Sequence, residues 1–242
     1  MNQRFRSLLT HLLASAPPRL QCRIQSWRSK GRVAMGRQAF IHPSVQILGK
    51  AQVALGDNSV LSQDCWLNVN HRDRAGRAIE IGSNCFIGRR NFFSSGASIV
   101  VNDYVLTAND CQFLGATHET ADPMRPVLST GTSGHDTIVI GANSFLGAGV
   151  RVIGSVRIGH GCVIGAGSLV TRDIPPFSQA HGSPAAVRRR FSIARQRWVA
   201  VDEFTPEDAA RLPAQDSYTT QLAQAGAIQM PYIATGNDMG DL

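Results

Sequence analysis

The chain has 242 residues and a formal net charge of +7, from 24 basic and 17 acidic side chains. Hydrophobic residues make up 43% of it, which excludes global disorder, and no apolar run approaches the roughly 20 residues of a membrane span. Residues 1–56 carry nine basic groups and no acid, whereas residues 199–242 carry seven acids and one base. No nucleic-acid-recognition motif accompanies the positive charge, so we expect no nucleic-acid partner.

Residues 1–38 predict a basic, amphipathic, helical amino-terminal segment. Apolar residues recur at the spacing of one helical face at Phe5, Leu8, Leu9, Leu12 and Leu13. Three interpretations stay open: a helix packed on the protein, peripheral membrane contact through residues 1–36, and a secretory signal. Thr10 and His11 interrupt the short apolar run, which argues against the signal.

The middle of the chain is an internal repeat with a period of six. Aliphatic residues recur without a slip at Ile140, Leu146, Val152, Ile158, Ile164 and Val170, and similar runs precede them from Ile41 onwards. This period matches neither an α-helix nor a β-hairpin, and it predicts three-sided coils of short strands with about 18 residues each. The room between residues 41 and 174 suffices for about seven coils.

A small residue stands four positions after most of the aliphatic ones. Four of the five cysteines occupy this position: Cys65, Cys85, Cys111 and Cys162. The cysteines show no zinc-binding spacing, so we expect free thiols that pack in a core, in a reducing compartment.

Two insertions interrupt the repeat, at residues 70–77 and 116–136. Long loops on a rigid scaffold often carry function. Near the carboxyl end, Thr205 followed by Pro206 predicts the start of a helix.

The units IGANSFLGAGV and IGHGCVIGAGSLVTRDIPP resemble the hexapeptide-repeat acyltransferases. The resemblance covers roughly residues 40–190. It is closest to the branch with galactoside and maltose acetyltransferases and the O-acetyltransferases of bacterial surface polysaccharides. It implies an all-β fold, a left-handed parallel β-helix, and a homotrimer with acetyl-CoA sites between neighbouring chains. We therefore expect a β-helix domain at 39–186 with the inserted loop 116–136. A carboxyl-terminal helix and a short helical or irregular acidic tail would fill 187–242.

The resemblance also implies a catalytic base. His118, in the motif Ala116-Thr117-His118, falls on the family's catalytic histidine. A sugar hydroxyl must lose its proton as it attacks a thioester, and imidazole can accept that proton near neutral pH. His135 has no motif match, and His160, on a coil turn, is expected to be solvated.

The cofactor positions carry over in the same way. Those implied to contact acetyl-CoA are Phe145, Ala148, Ala166, Thr171, Arg172 and Arg189, the last in a run of three arginines at 188–190. The galactoside enzymes hold their sugar with an amide and a carboxylate, and Gly88 and Gly96 stand at those positions here. The neighbouring residues Arg89, Arg90 and Asn91 are therefore candidates for contact with a different, anionic acceptor.

These features predict an acetyl-CoA-dependent O-acetyltransferase acting on a sugar hydroxyl in surface-polysaccharide biosynthesis (O-antigen, capsule or exopolysaccharide). We expect a cytoplasmic enzyme, peripheral at the inner face of the membrane if residues 1–36 bind lipid. No metal is expected, because Pro123 stands where a related metal enzyme would need a second histidine. The alternatives are an acetyltransferase of an antibiotic or amino acid, and a non-catalytic β-helix scaffold.

Overall fold

The computed structural model describes residues 33–225. The predicted amino-terminal helical segment, its membrane contact, Cys22 and the last part of the acidic tail lie outside these residues, except for residues 33–38. Neither of the two α-helices within residues 33–225 has the length and apolar character that crossing a membrane requires.

The described chain winds through three parallel sheets, which form the faces of a prism that we call A, B and C. The strands of the successive coils, in the order A, B, C, are β1 (Ala34–Met35), β2 (Phe40–Ile41), β3 (Gln46–Leu48); β4 (Val53–Leu55), β5 (Val60–Leu61), β6 (Trp66–Val69); β7 (Ile79–Ile81), β8 (Phe86–Ile87), β9 (Phe92–Ser95); β10 (Ser98–Val101), β11 (Leu106–Thr107), β12 (Gln112–Leu114); β13 (Thr137–Ile140), β14 (Phe145–Leu146), β15 (Arg151–Ile153); β16 (Val156–Ile158), β17 (Val163–Ile164), β18 (Leu169–Val170).

Six complete coils and part of a seventh follow from this order. In the seventh, Ile174 bridges to Ile158 on face A and β19 (Ser178–Gly182) pairs with β17 on face B. The period of six and the estimate of about seven coils are therefore confirmed, and the fold is a parallel β-helix. Short 3-10 turns lie at Lys50–Gln52, Val127–Ser129 and Val201–Glu203.

The repeated aliphatic residues fill the inside of the prism. Ile140, Leu146 and Ile158 are completely buried, and Phe93 and Phe113 stack in the middle coils with ring centroids 4.5 Å apart. The aliphatic residue of each repeat therefore points inward, as predicted, and on face A the residue two positions before it is buried as well, as at Ile138 and Ile140.

The four coil cysteines are free, buried thiols, as expected. Cys65 Sγ donates a hydrogen bond to the carbonyl of Gly88 in the next coil, at 3.0 Å. Burial raises the pKa of Cys65 and of Cys85 to about 12, so both thiols stay protonated at neutral pH. They pack and bridge coils rather than react.

The end of the prism was not fully predicted. Residues from 187 onwards were expected to form a helix and an acidic tail, but β20 (Ala185–Ser192) pairs antiparallel with β19, and β21 (Arg197–Ala200) pairs with β20. The physical reason is the open edge of β19, whose unpaired backbone groups β20 satisfies.

Two short helices follow, α1 (Pro206–Ala210) and α2 (Gln215–Gln224). The predicted helix start is confirmed: the Thr205 hydroxyl accepts from the Asp208 backbone N–H, and the Asp208 side chain accepts from the Thr205 backbone N–H.

Leu146 and Leu106 provide a matched test of the packing, because they lie on adjacent strands of face B with 0% and 38% exposure. Leu146→Ala should lower the free energy of unfolding by about 2–5 kcal/mol, since it leaves a cavity in the prism. Leu106→Ala should cost less than about 1 kcal/mol. Urea denaturation measures both free energies of unfolding. Equal losses in the two variants would contradict the assignment of Leu146 to the inside and Leu106 to the outside of the prism.

Candidate active site

The turns between strands stack into three corners, and two of them carry the predicted site residues. The B–C corner consists of the turns from face B to face C, and the C–A corner of those from face C to face A. Both insertions, 70–77 and 116–136, leave the prism at the C–A corner, the first between coils 2 and 3 and the second between coils 4 and 5.

The loop 116–136 has a hydrogen-bonded neck. The Ser133 backbone N–H donates to the Thr117 carbonyl at 2.7 Å, and the Thr117 N–H donates to the Ser133 hydroxyl at 3.1 Å. His118 pairs with Thr132 in the next antiparallel bridge. Beyond the neck the loop is exposed as far as Ser129, so it projects from the prism as an arm.

His118 stands at the root of this arm. Its side chain is exposed, and it makes no hydrogen bond or ion pair with any residue in the described range 33–225. The backbone of His118 is thus held by the neck, while its imidazole is exposed to solvent.

The two insertions touch each other, which the sequence did not reveal. His71 Nε2 donates to the Ser133 carbonyl at 3.0 Å, and the Arg74 guanidinium donates to the carbonyl of Gly134. These contacts join residues about 60 positions apart, and no local motif signals them.

The B–C corner aligns the candidate acceptor and cofactor positions in one column. The strand register places Arg89, Asn109, Ala148 and Ala166 at equivalent positions of coils 3, 4, 5 and 6. Ala148 and Ala166 are exposed and each is followed by a glycine, so the turns of coils 5 and 6 carry only small side chains at these positions. Phe145 precedes the corner on face B and is 40% exposed.

The three candidate acceptor residues differ in their surroundings. Arg90 forms a two-pronged ion pair with Asp110, with both N–O distances 2.8 Å. Asn91 is completely buried and donates to the carbonyls of Gly88 and Ala108, so its side chain offers no surface to an acceptor. Arg89 is exposed, and within residues 33–225 no group bonds to its guanidinium.

The remaining cofactor candidates lie elsewhere on the prism. Thr171 and Arg172 are exposed at the C–A corner, after β18. Arg189 is exposed on β20. Face C separates the C–A corner, with His118, from the B–C corner, with Ala148 and Ala166. One chain therefore does not bring all the predicted residues together.

Arg190 differs from the other two arginines of its run. Its guanidinium lies 4.1 Å from the centre of the Phe204 ring and donates to the Pro176 carbonyl, and burial lowers its pKa. Arg190 fastens the carboxyl-terminal segment to the prism, whereas Arg188 and Arg189 are exposed.

The expectation that His160 is solvated was wrong. Only 7% of it is exposed, its Nε2 donates to the Pro213 carbonyl at 2.9 Å, and its ring contacts those of Phe177 and Tyr218. The segment containing α2 folds back over this coil turn and covers it.

Asp208 anchors the same segment. It accepts hydrogen bonds from the Ser192 hydroxyl, the Thr205 N–H and Arg195, which lower its pKa to about 2. Its carboxylate therefore contributes to stability at neutral pH, and the contribution is lost as the pH falls from about 3.9 through 2.

An exposed aromatic pair beside the B–C corner was also missed. Trp66 and Phe92 are adjacent outward-facing residues of face C, with ring centroids 4.9 Å apart, and Trp66 is 43% exposed. Each directly precedes an inward residue of the repeat, so the six-residue phase combined with the strand register could have found the pair.

Within residues 33–225, no group of three or more His, Cys, Asp or Glu side chains is arranged to hold a metal ion.

Several known proteins are similar to this chain in sequence. Residues 137–172 match the family model described as bacterial transferase hexapeptide (six repeats). A galactoside O-acetyltransferase of Lactococcus lactis is 35% identical over 134 residues, covering 47% of this chain and 63% of that protein. The chain is therefore similar in sequence to hexapeptide-repeat acetyltransferases.

A protein of Mycobacterium tuberculosis named as an acetyltransferase is 28% identical over 187 residues, covering 76% of this chain and 57% of that protein. The chain thus spans about 60% of the length of these two relatives.

Solved structures share the fold. A variant of AntD, an N-acyltransferase from Bacillus cereus in complex with dTDP-4-amino-4,6-dideoxyglucose and coenzyme A, aligns with a TM-score of 0.58. It is 15% identical and the alignment covers 84% of this chain and 96% of that one. A hexapeptide-repeat acetyltransferase from Vibrio cholerae aligns with a TM-score of 0.50 at 20% identity, over 76% of this chain and 87% of that one.

Proposed function

We propose that this protein is an acetyl-CoA-dependent O-acetyltransferase that acts on a sugar hydroxyl, with His118 as the general base. The observation that carries the proposal is the hydrogen-bonded neck, which fixes the backbone at His118 and leaves its imidazole exposed and without a hydrogen bond to any described residue. A general base must reach its substrate, and this geometry provides that access.

The reaction is a direct transfer. The acceptor hydroxyl loses its proton to His118 as its oxygen bonds to the thioester carbonyl carbon, and a backbone N–H stabilises the resulting oxyanion. When the tetrahedral intermediate collapses, the C–S bond breaks and the CoA sulfur takes the proton back from His118. No acyl-enzyme is required.

The B–C corner of coils 5 and 6 suits the pantetheine arm of acetyl-CoA. Ala148 and Ala166 are exposed in successive coils; the Ala148 carbonyl accepts from the Gly167 N–H, so the backbone N–H groups of Ala148 and Ala166 are the ones we assign to an extended, amide-bearing chain. Phe145 flanks this path on face B. Arg172 and Arg189 are exposed charges for the phosphates, and Thr171 lies near the adenosine end.

The separation of the two corners supports a homotrimer with sites between copies. His118 at the C–A corner of one copy would face Ala148 and Ala166 at the B–C corner of its neighbour. A symmetric assembly of this kind forms identical sites, each completed by two chains.

We assign the B–C corner of coils 2 and 3 to the acceptor. Arg89 provides an exposed guanidinium that no residue between 33 and 225 bonds, and the exposed ring of Trp66 next to Phe92 can stack on a sugar ring. The Lactococcus relative is named for a galactoside, and AntD is bound to a nucleotide-linked amino sugar. Both names favour a sugar acceptor, and a surface-polysaccharide precursor is the acceptor we propose.

His118→Ala should lower kcat by about 10²–10⁴-fold, because the general base is lost. The exposed His135 lies in the same loop, and His135→Ala should change kcat less than about threefold. CoA release is measured with a panel of sugars, nucleotide sugars, an amino acid and an antibiotic, and product mass identifies the acceptor.

Equal rates for wild type and His118→Ala would exclude His118 as the base. Turnover only with the amino acid or the antibiotic would replace the sugar assignment. The absence of turnover with every acceptor would favour a non-catalytic scaffold.

A mixing experiment tests the shared site. His118→Ala and Ala166→Trp, which blocks the corner groove, should each be inactive alone. Randomly mixed trimers should regain about a quarter of wild-type activity, because one interface in four joins an intact His118 to an intact corner. A mixture as inactive as its parents would place the whole site within one chain.

Arg89→Ala should raise the acceptor KM by about tenfold, the loss expected for one charge-assisted hydrogen bond. Arg90→Ala is the matched control, since Arg90 is already paired with Asp110, and it should leave the acceptor KM within about twofold. The acceptor KM at saturating acetyl-CoA is the measurement, and an unchanged value for Arg89→Ala removes this residue from the site.

A further inference from the structure

The insertion 70–77 is itself fixed to the prism. The Asn70 amide donates to the Ser94 hydroxyl at 3.0 Å and to the Ser95 carbonyl at 2.9 Å. The nearly buried Gln52 amide donates to the carbonyls of His71, at 3.3 Å, and Arg74, at 2.6 Å. His71 and Arg74 therefore project from a backbone that is held at several points.

From this fixed position both side chains bond to the second loop. His71 Nε2 donates to the Ser133 carbonyl and Arg74 donates to the Gly134 carbonyl. Ser133 is only 5% exposed, although most of its loop is exposed. Ser133 of the neck is therefore buried where it meets the first insertion.

The neck transmits this contact to the candidate base. Ser133 exchanges two hydrogen bonds with Thr117, through its N–H and its hydroxyl, and Thr117 directly precedes His118. Two steps thus join the His71 imidazole to the backbone of His118.

The ends of the loop are fixed separately, so the contact acts on the neck in particular. The Asp136 carboxylate accepts from the Ser155 hydroxyl at 2.7 Å, and the Asp136 carbonyl accepts from the Ala97 N–H at 2.8 Å. The Gly115 N–H donates to the Ser94 carbonyl. Without His71 and Arg74 these anchors would remain, but the side chains that tie residues 133 and 134 to the first insertion would be lost.

We propose that His71 and Arg74 are positioning residues, which clamp the neck of loop 116–136 and so set the place of His118 relative to the reacting atoms. This inference rests on the proposed function of His118. Positioning matters because proton transfer requires hydrogen-bond distance, and a displacement of about 1 Å can cost about 10²-fold in rate.

The test compares His71→Ala and Arg74→Ala with Arg72→Ala. Arg72 lies in the same insertion but bonds to the Val69 carbonyl, so its variant is the matched control. Each clamp variant should lower kcat by about 10–100-fold with the KM of acetyl-CoA within about twofold, and Arg72→Ala should change neither. His71→Gln, which retains a side-chain N–H donor, should recover most of the activity.

Gly134→Ala tests the contact without removing either side chain. A Cβ at position 134 would overlap with the Arg74 guanidinium and lie 2.7 Å from His71 Nε2. The added methyl group should push both donors away and reproduce the loss of kcat. Wild-type kcat in Gly134→Ala and in both clamp variants would overturn the proposal.

Hydrogen exchange supplies a readout that needs no activity. In the His71→Ala/Arg74→Ala double variant the amides of Thr117, Glu119 and Ser133 should exchange at least about tenfold faster, while those of the coil strands keep their wild-type rates. Unchanged exchange in the neck would overturn the clamp. If the wild-type protein turns over no acceptor, the proposed function is contradicted. If the double variant nevertheless shows faster exchange in the neck, the clamp of the neck still holds.

Discussion

The stacking of one coil directly on the next is the constraint on which the rest of this structure depends. Parallel strands lie about 4.8 Å apart, so every turn passes close over the turn below it. At Gly141 a Cβ would lie 2.7 Å from the Cα of His160 in the next coil, a distance that folded proteins do not tolerate. Glycine at such corners lets the coils stack in register. In this register each residue lies directly above the equivalent residue of the previous coil.

The register explains why most of the candidate site residues lie at the corners. A residue on a face points either into the packed core or outward, whereas a residue at a corner is carried by a turn whose length can change without disturbing the strands. Both insertions use this freedom at the C–A corner, separated by the short turn at Gly96 and Ala97. Because that turn is short, the insertion from coil 2 can reach across it to the loop from coil 4, and their contact becomes possible.

The six-residue phase was enough to predict the inward residues, the number of coils and the buried cysteines. The same phase applies to Asn91, which stands four positions after Ile87. Cys65 occupies this small inward position after Leu61. The burial of Asn91 was therefore predictable, and its assignment to the acceptor conflicted with the repeat. Arg89 and Arg90 occupy the turn itself, where the phase allows exposure.

The features that could not be predicted all depend on contacts between distant segments. His160 is buried because α2 returns over its turn, and Arg190 is turned inward because Phe204 lies beside it. Nor does a hexad pattern show that His71 meets Ser133, since both lie outside the repeat. For His118, the sequence motif indicated the residue, but the neck that presents it became visible only with the fold.

Two glycines bear on the acceptor, because they stand where the resemblance places the sugar-binding amide and carboxylate. A Cβ at Gly88 would lie 2.5 Å from the Ala108 carbonyl oxygen. At Gly96 it would overlap with the Gly115 carbonyl and lie 2.8 Å from the Asp136 carbonyl oxygen, at the two ends of loop 116–136. Neither position has room for a side chain, so a galactoside pocket cannot be restored by one substitution at either place. The proposed acceptor therefore has to be recognised by groups that the corner leaves exposed, and among the described residues we assign that role to Arg89 and the Trp66–Phe92 pair.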